Sequence, residues 1–360
     1  MSLRDLESHV ILLVGLAAFI GYLFFIGFNN IIVLVLKLSP YTLALVLLTM
    51  ILGMILHAFT WFFSLTSNRF ERGVRVRDCI GITGVSLLSG YLLPVGAVTD
   101  IVRVVLSMRR MNLKPSTAIS SVILHRLYLS LSGLILFVAI YLLGFLLYGT
   151  YLKSAQLLII TFYVALVILP TLAFAGIIGS SFFRNFMYKI TIFVEKKFSR
   201  KYSFNPEIFV YEYRDSLKRS FTSIPYSSLA FTTSIGEWFL LTVTTYLIIS
   251  GFTTYTSIME SFTVALSVQL IYWIMPLSFS SSIGLLELFT TLLLQLSGLS
   301  PQVAASFVIL YRIFGFLAIF TLSYPALRAM KIRRLKDLIE PISSSYYEDR
   351  GMREMSQNRK

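Results

Sequence analysis

Charged residues are scarce in this sequence. Only 13% of the 360 residues are charged, whereas 56% are hydrophobic, and the mean hydropathy is +0.79. A chain of this length with so much apolar side-chain surface cannot bury it all in one soluble core. The composition therefore predicts an integral membrane protein that crosses the bilayer several times.

Cysteine and histidine are also rare, and this excludes several kinds of site. The single cysteine, Cys79, cannot form an internal disulfide or belong to a multi-cysteine metal centre. The three histidines, His9, His57 and His125, are not spaced as metal ligands along the chain. No stretch matches the GxxxxGK[ST] phosphate-binding loop, so ATP-driven transport is not indicated. We expect no metal and no other cofactor.

Acidic residues are the scarcer of the two charged classes, with 17 Asp and Glu against 31 Lys and Arg. In a membrane protein, such an excess is expected in the cytoplasmic loops. No aromatic and basic module accompanies it, so we expect no nucleic-acid partner. The basic stretches at 68–78, 109–114, 182–220 and 328–336 predict a cell-membrane protein with both termini in the cytoplasm.

A fifteen-residue stretch occurs twice. NLKPSTAISSVILHR, at 112–126, returns 186 residues later as GLSPQVAASFVILYR, at 298–312, with eight identical positions. Two unrelated apolar helices would share only about two such positions, so we interpret the match as an internal duplication. Each copy ends by placing an arginine, Arg126 or Arg312, inside a long hydrophobic segment.

Long hydrophobic segments predict where the chain crosses the membrane. The first two spans are joined by a short connection, and the complete set is 9–28, 41–65, 117–148, 155–180, 223–250 and 302–327.

Two further segments, 79–108 and 258–297, are interrupted by proline and glycine. The first interruption is at Pro94 and Gly96, and the second is at Pro276 and Gly284. Both segments must begin and end on one side of the membrane, so they predict re-entrant hairpins that enter from opposite sides. The predicted fold is an all-α, polytopic membrane bundle of two inverted-topology repeats, each with a broken hairpin followed by a long helix.

The predicted bundle is one transmembrane domain, residues 1–338. Its first half is about 1–181, a cytoplasmic basic loop follows at 182–220, and the second half is about 221–338. The loop is read either as an amphipathic helix on an anionic leaflet or as a plain basic loop. Residues 339–360 are expected to be a polar, mobile tail.

The two arginines are predicted near the midplane of the membrane. Each lies about ten residues into its helix, or roughly 15 Å, from opposite sides. An arginine at that depth costs about 2.5–3.5 kcal/mol and should have a partner. Asp100, with Arg103 one turn later, and Glu287 are the nearest acids in the broken segments. The pairs either lock the fold or line a groove where arginines, Arg103 included, exchange a carboxylate for a phosphate.

Other polar residues in apolar segments have two readings each. Ser280, Ser281 and Ser282 form a hinge with Gly284 whose backbone N–H groups could bind an anion, or they serve helix packing. Glu237 either carries a coupling proton or is a hydrogen-bonded structural acid.

These motifs resemble the transmembrane domain of bacterial lysylphosphatidylglycerol synthetase/flippase proteins, over nearly all of 12–327. The first motif is Pro94-x-Gly96-(x)3-Asp100-x-x-Arg103 followed by 109–126. The second is 280–287 followed by 298–312, with three serines where the family tends to have Pro-Gly-Gly. No soluble aminoacyl-transferase domain follows, so we expect the flippase function without lysyl transfer.

The resemblance implies a flippase or scramblase for an anionic, aminoacyl, glyco- or polyprenyl-phosphate lipid headgroup, and not an enzyme. Its partners would be membrane lipids. One alternative is a non-catalytic membrane partner of a lipid-modifying synthetase or glycosyltransferase, docked through 182–220. An intramembrane lipid transferase is less favoured, because the chain lacks clustered acids for a divalent metal and a large external loop.

Overall fold

The structure is a computed structural model that describes residues 19–25, 27–66, 74–92, 98–148, 154–186, 188–189, 205–253, 257–278 and 284–330. Every regular element within these ranges is helical, as the sequence predicted. The principal helices are α1 (Phe19–Phe25), α2 (Phe28–Leu36), α3 (Pro40–Thr66), α4 (Val76–Leu92), α5 (Val98–Arg110), α6 (Pro115–Tyr148), α7 (Ser154–Tyr163), α8 (Leu169–Ile178), α9 (Pro206–Thr222), α10 (Ile224–Ser250), α11 (Ile258–Ser278), α12 (Leu285–Leu296) and α13 (Pro301–Ala329). A π-helical segment, Val164–Ile168, joins α7 to α8.

By length and composition, four helices among the described residues can cross a membrane. They are α3, α6, α13 and the continuous segment Gln156–Ile178 formed by α7 and α8. The bent pair α1 and α2 makes a fifth candidate. The protein is therefore a multi-pass membrane protein. The predicted helix at 223–250 is present as α10 and its 27 residues are long enough to span, but it is not among the apolar candidates.

The connection between the first two predicted spans is helical, which the sequence analysis did not predict. Helix α1 ends at Phe25 and α2 begins at Phe28, with an 86° bend between them. Gly27 has a φ of +94°, a conformation that glycine adopts without the steric cost a side chain would bring. Residues 1–18, which include the first ten residues of the predicted span 9–28, lie outside the described residues.

The two interrupted segments each form a pair of helices. Helix α4 ends at Leu92 and α5 begins at Val98. Pro94 and Gly96, where the break was predicted, lie between these two helices but outside the described residues.

The second interruption is later than predicted. Helix α11 continues through Pro276 to Ser278, so the expected break at Pro276 was wrong. Proline lacks the N–H that would bond to the carbonyl four residues earlier, so α11 continues past Pro276 with one backbone hydrogen bond missing. Gly284 does mark the break, since it precedes α12 with a φ of +87°.

The two copies of the repeated stretch have the same local structure. Each begins at a residue with positive φ, Asn112 at 54° and Gly298 at 102°, and each helix starts with a proline, Pro115 or Pro301. Proline suits the first helical position, because its missing N–H would have no partner there. Matched positions are also buried alike: Ala118 and Ala304, Ser120 and Ser306, Val122 and Val308, Leu124 and Leu310.

Helix α10 lies between α3 and α6 at the centre of the bundle, so a helix of the second half packs against two helices of the first. Its hydroxyl groups bond to both neighbours. Thr60 donates to Thr233 across 3.0 Å, and Ser132 and Ser234 lie 2.6 Å apart. Hydroxyl pairs of this kind satisfy polar groups between helices where no water is available.

The predicted basic loop 182–220 contains part of an ordered helix, α9, so residues 206–220 are helical and not a plain loop, while a position on an anionic leaflet stays a prediction. Asn205 caps α9 by accepting from the Glu207 N–H at 2.9 Å, and Pro206 is its first residue. Tyr213 is fully buried and donates to the Ala175 carbonyl at 3.2 Å. Burial raises the pKa of Tyr213, which keeps this hydroxyl protonated as a donor. Helix α9 thus packs on α6 and α8 as part of the core.

We predict that Gly133→Ala destabilises the protein. A Cβ at Gly133 would lie 2.6 Å from the Trp238 ring and 2.9 Å from the Tyr163 hydroxyl, so α6 would have to move away from α10. Overpacking of this kind costs about 1–3 kcal/mol. Gly176→Ala is the matched control, since nothing lies within 4 Å of its Cβ position. Thermal unfolding in detergent, followed by circular dichroism, should show a lower Tm for Gly133→Ala alone. Equal Tm values would contradict the described packing.

Candidate functional site

Glu287 and Arg312 form an ion pair between α12 and α13. The Glu287 Oε1 accepts from Arg312 Nε at 3.0 Å, and Oε2 accepts from the Gly284 N–H at 2.5 Å. Glu287 is the third residue of α12, where an acid is stabilised by the N-terminal end of the helix dipole. One carboxylate therefore caps the helix that follows the break and also fixes the arginine.

The first half of the chain also contributes to the surroundings of Arg312. Its guanidinium carbon lies 4.1 Å from the ring centre of Tyr91, on α4. A cation over an aromatic face gains up to about 2 kcal/mol when both are shielded from water. A small cavity beside the pair is lined by Val268, Leu286, Thr290, Phe307, Val308 and Tyr311.

Asp100 and Arg126 form the corresponding pair between α5 and α6. The Arg126 Nη2 donates to Asp100 Oδ2 at 2.5 Å. The side chains are 28% and 25% exposed, whereas that of Glu287 is 7% exposed. The first pair is thus the more accessible of the two.

The two pairs occupy the same positions in their elements. Asp100 and Glu287 are each the third residue of the helix after a break. Arg126 and Arg312 each lie eleven residues beyond the proline that begins the long helix. The structure thus makes both acid–arginine pairs that the sequence proposed. Ser280, Ser281 and Ser282, the predicted hinge serines, lie outside the described residues.

Arg103, expected to help bind a phosphate, is placed differently from the other two arginines. It is only 1% exposed, so in this structure no substrate reaches it. Its Nη1 lies 3.1 Å from His125 Nδ1, its Nη2 lies 3.0 Å from His57 Nε2, and it stacks 5.4 Å from the Trp61 ring centre. Arg103 therefore belongs to a buried cluster beside the first ion pair.

Glu237 extends this cluster. Its Oε1 lies 2.9 Å from His57 Nδ1, so it is hydrogen-bonded, which is one of the two readings proposed for it. Three buried atoms of the cluster have no hydrogen-bond partner among the described residues: Arg103 Nε, His125 Nε2 and Glu237 Oε2. Unsatisfied polar atoms at this burial are unusual, and they indicate a site whose groups have a role beyond packing.

His57, His125 and Glu237 were not expected to come together. Each offers one ligand atom, and these atoms lie within 4.8 Å of one another. Both nitrogens of His57 are already engaged, by Glu237 and by Arg103, and His125 Nδ1 also faces Arg103. A metal ion would have to displace the guanidinium from these nitrogens. As arranged, the donor set fits a hydrogen-bond network better than a metal centre.

The arrangement suits reversible binding of an anion. A guanidinium held by a carboxylate can exchange that partner for a phosphate, because both present oxygens that match its fork of N–H donors. Each exchangeable arginine contacts an acid in the first turn of the second helix of an interrupted segment.

Comparison with known proteins identifies the family. The family model described as the lysylphosphatidylglycerol synthase TM region matches residues 12–323, which include all four members of the two ion pairs. Searches among curated proteins and among solved structures gave no significant match. With the match extending over most of its length, this chain belongs to the family of the lysylphosphatidylglycerol synthase transmembrane region.

Proposed function

We propose that this protein moves the phosphate-containing headgroup of a lipid across the membrane, as a flippase or scramblase and not as an enzyme. The observation that carries the proposal is the pair of equivalent arginine–acid sites, each joining a broken helix pair to a long helix. The family supports a lipid-related role in the membrane. The ligand chemistry is a lipid phosphate, carried by a phospholipid or by a polyprenyl chain.

The proposal places both arginines at the middle of the bilayer. Eleven residues at 1.5 Å each is roughly 16 Å, about half of a 30 Å hydrocarbon core. Basic residues Arg109, Arg110 and Lys114 precede α6, whereas Arg328 lies at the end of α13. The positive-inside rule then orients α6 and α13 oppositely, with both termini in the cytoplasm of the cell membrane. The halves become inverted repeats about an axis in the membrane plane.

In this proposal each arginine alternates between two partners. At rest, Asp100 and Glu287 neutralise the guanidinium groups and avoid the cost of an unpaired buried charge. An incoming phosphate replaces the carboxylate while the lipid tails remain in the hydrocarbon. Alternating opening of the two halves then moves the headgroup through the bilayer.

Contacts of the described residues count against the two alternatives. Residues 206–220 of the supposed docking loop are part of α9, which is packed on α6 through Tyr213 and the Ser120–Ser216 contact. A transferase would need acids gathered around a divalent metal. Asp100, Glu237 and Glu287 are instead engaged by Arg126, His57 and Arg312.

Two double variants separate a binding role of the first pair from a purely structural one. Asp100→Asn with Arg126→Gln removes both charges without leaving either one unpaired. Asp100→Arg with Arg126→Asp keeps an ion pair but moves the guanidinium to the other helix. If Arg126 binds the phosphate, both variants fold and transport at least about tenfold more slowly, a loss of about 1.4 kcal/mol in the barrier.

The measurement is translocation of fluorescent short-chain phosphatidylglycerol and of a fluorescent polyprenyl phosphate in proteoliposomes, read by extraction into albumin. Arg328→Ala, at the far end of α13, is the control for loss of a positive charge. If one of the two probes moves faster, it shows whether the substrate carries acyl tails, as phosphatidylglycerol does, or a polyprenyl chain. Wild-type rates in both double variants would show that the pair only locks the fold.

A substitution at Gly284, the residue before α12, tests the second site, the Glu287–Arg312 pair. Gly284→Ala forces a side chain onto a φ of +87°, at a cost of about 1–3 kcal/mol, and disturbs the N–H that holds Glu287 against Arg312. Gly298→Ala is the matched control, since Gly298 also has positive φ, at 102°, but no neighbour within 4 Å. Both variants should lose thermal stability, and only Gly284→Ala should lose transport per folded molecule. Equal transport in the two would exclude this role of the hinge.

A further inference from the structure

Four side chains, three of them buried and one, His57, partly buried, form one continuous chain of hydrogen bonds across the bundle. Glu237 on α10 bonds to His57 on α3, His57 to Arg103 on α5, and Arg103 to His125 on α6, at distances of 2.9, 3.0 and 3.1 Å. Arg103 and His125 are each 1% exposed, and Glu237 is 9% exposed. The chain thus joins a helix of the second half to three helices of the first.

These hydrogen bonds fix the position of each imidazole proton. A guanidinium only donates, so the nitrogens that face Arg103, His125 Nδ1 and His57 Nε2, must both be acceptors. His57 then carries its proton on Nδ1 and donates it to Glu237 Oε1. Since its Nδ1 accepts from Arg103, His125 carries its proton on Nε2. Both histidines are therefore neutral, with their lone pairs directed at Arg103.

A proton and Arg103 consequently compete for the same two lone pairs. Protonation of either histidine converts an acceptor into an N–H that points at a cation, so the hydrogen bond is lost and repulsion replaces it. The charges around the cluster balance as long as both histidines are neutral, because Arg103 and Arg126 are offset by Asp100 and Glu237. The other titratable groups within electrostatic reach are Cys79 of α4 and Tyr163 of α7.

The cluster is mechanically connected to the first ion pair. Arg103 lies one turn after Asp100 on α5, and His125 directly precedes Arg126 on α6. The contacts Asp100–Arg126 and Arg103–His125 are thus two neighbouring cross-links between the same two helices. Loss of the second leaves the Asp100–Arg126 pair as the remaining one of these two cross-links.

We propose that this cluster is a proton-binding site that couples proton uptake to opening of the Asp100–Arg126 pair. The proton adds to His57 Nε2 or His125 Nδ1, Arg103 leaves that nitrogen, and α5 loosens from α6, which makes Arg126 available to a lipid phosphate. The proton is released when Arg103 returns. The inference rests on the proposed function and adds its coupling ion. At the position of His125, the second repeat has Tyr311, so the coupling belongs to the first site only.

The test uses variants that cannot take up this proton but keep the acceptors. His57→Gln with His125→Asn places amide oxygens towards Arg103. His9→Gln, which replaces the third histidine of the chain, is the control. Translocation of fluorescent phosphatidylglycerol is measured in proteoliposomes at pH 5.5 and 7.5, with equal pH on both sides. Wild type and His9→Gln should be about fivefold or more faster at pH 5.5, at the lower end of typical coupling between two sites.

The double variant His57→Gln with His125→Asn should transport at the same rate at both pH values. A double variant that keeps the wild-type pH dependence, or a wild type without any, would overturn the inference.

A second readout does not depend on transport. Trp61 lies against Arg103, so its fluorescence should change when Arg103 moves. Each protein and its Trp61→Phe counterpart are titrated in nanodiscs from pH 5 to 7.5. The difference between their fluorescence intensities is the contribution of Trp61. A titration seen with wild type and absent from the double variant supports the proton site even if no lipid probe moves, in which case only the proposed function fails. Transport without any Trp61 titration overturns the proton site and leaves the proposed function intact.

Discussion

The cost of placing a charge in an apolar environment governs the arrangement of this molecule. Each of the two partly exposed arginines, Arg126 and Arg312, has a carboxylate partner, and each carboxylate is the third residue of a helix. A helix beginning beside an arginine supplies dipole stabilisation for the acid, but a continuous helix would have no such beginning. The interruption between α11 and α12, and the one between α4 and α5, therefore serve the same purpose as the ion pairs. Break, acid and arginine form one unit, which the chain contains twice.

Much of this unit could be predicted from the sequence because the repeat made its two copies comparable. Asp100 precedes Arg126 by nearly the same distance as Glu287 precedes Arg312, and that similarity was enough to propose the pairs. The long helices followed from uninterrupted apolar segments. The bend at Gly27 and the extension of α11 through Pro276 were not anticipated. Each depends on the backbone geometry of one residue, which composition does not encode.

Tertiary packing accounts for the remaining differences. Residues 206–220 were read as loop because they are charged, yet Tyr213 and Ser216 lie on one face of α9 that fits against neighbouring helices. The cluster around Arg103 brings together residues separated by 46, 22 and 180 positions in the chain. Its four members come from four helices, and the first motif relates only Arg103 and His125. No periodicity or motif in the sequence placed His57 or Glu237 beside them.

The partners of Arg103 argue against a purely static role for it. A fold that needed this guanidinium only as a lock would gain most by placing a carboxylate directly against it, as it does with Arg126 and Arg312. Arg103 is the most deeply buried of the three, yet its hydrogen bonds go to two neutral imidazoles, and its Nε has no hydrogen-bond partner in the part of the chain that the structure describes. Such an arrangement holds the cation less firmly than an ion pair would, and it can be reversed by one proton on either ring. A weak, reversible attachment at the point where α5 meets α6 is what a moving element requires and what a rigid one does not.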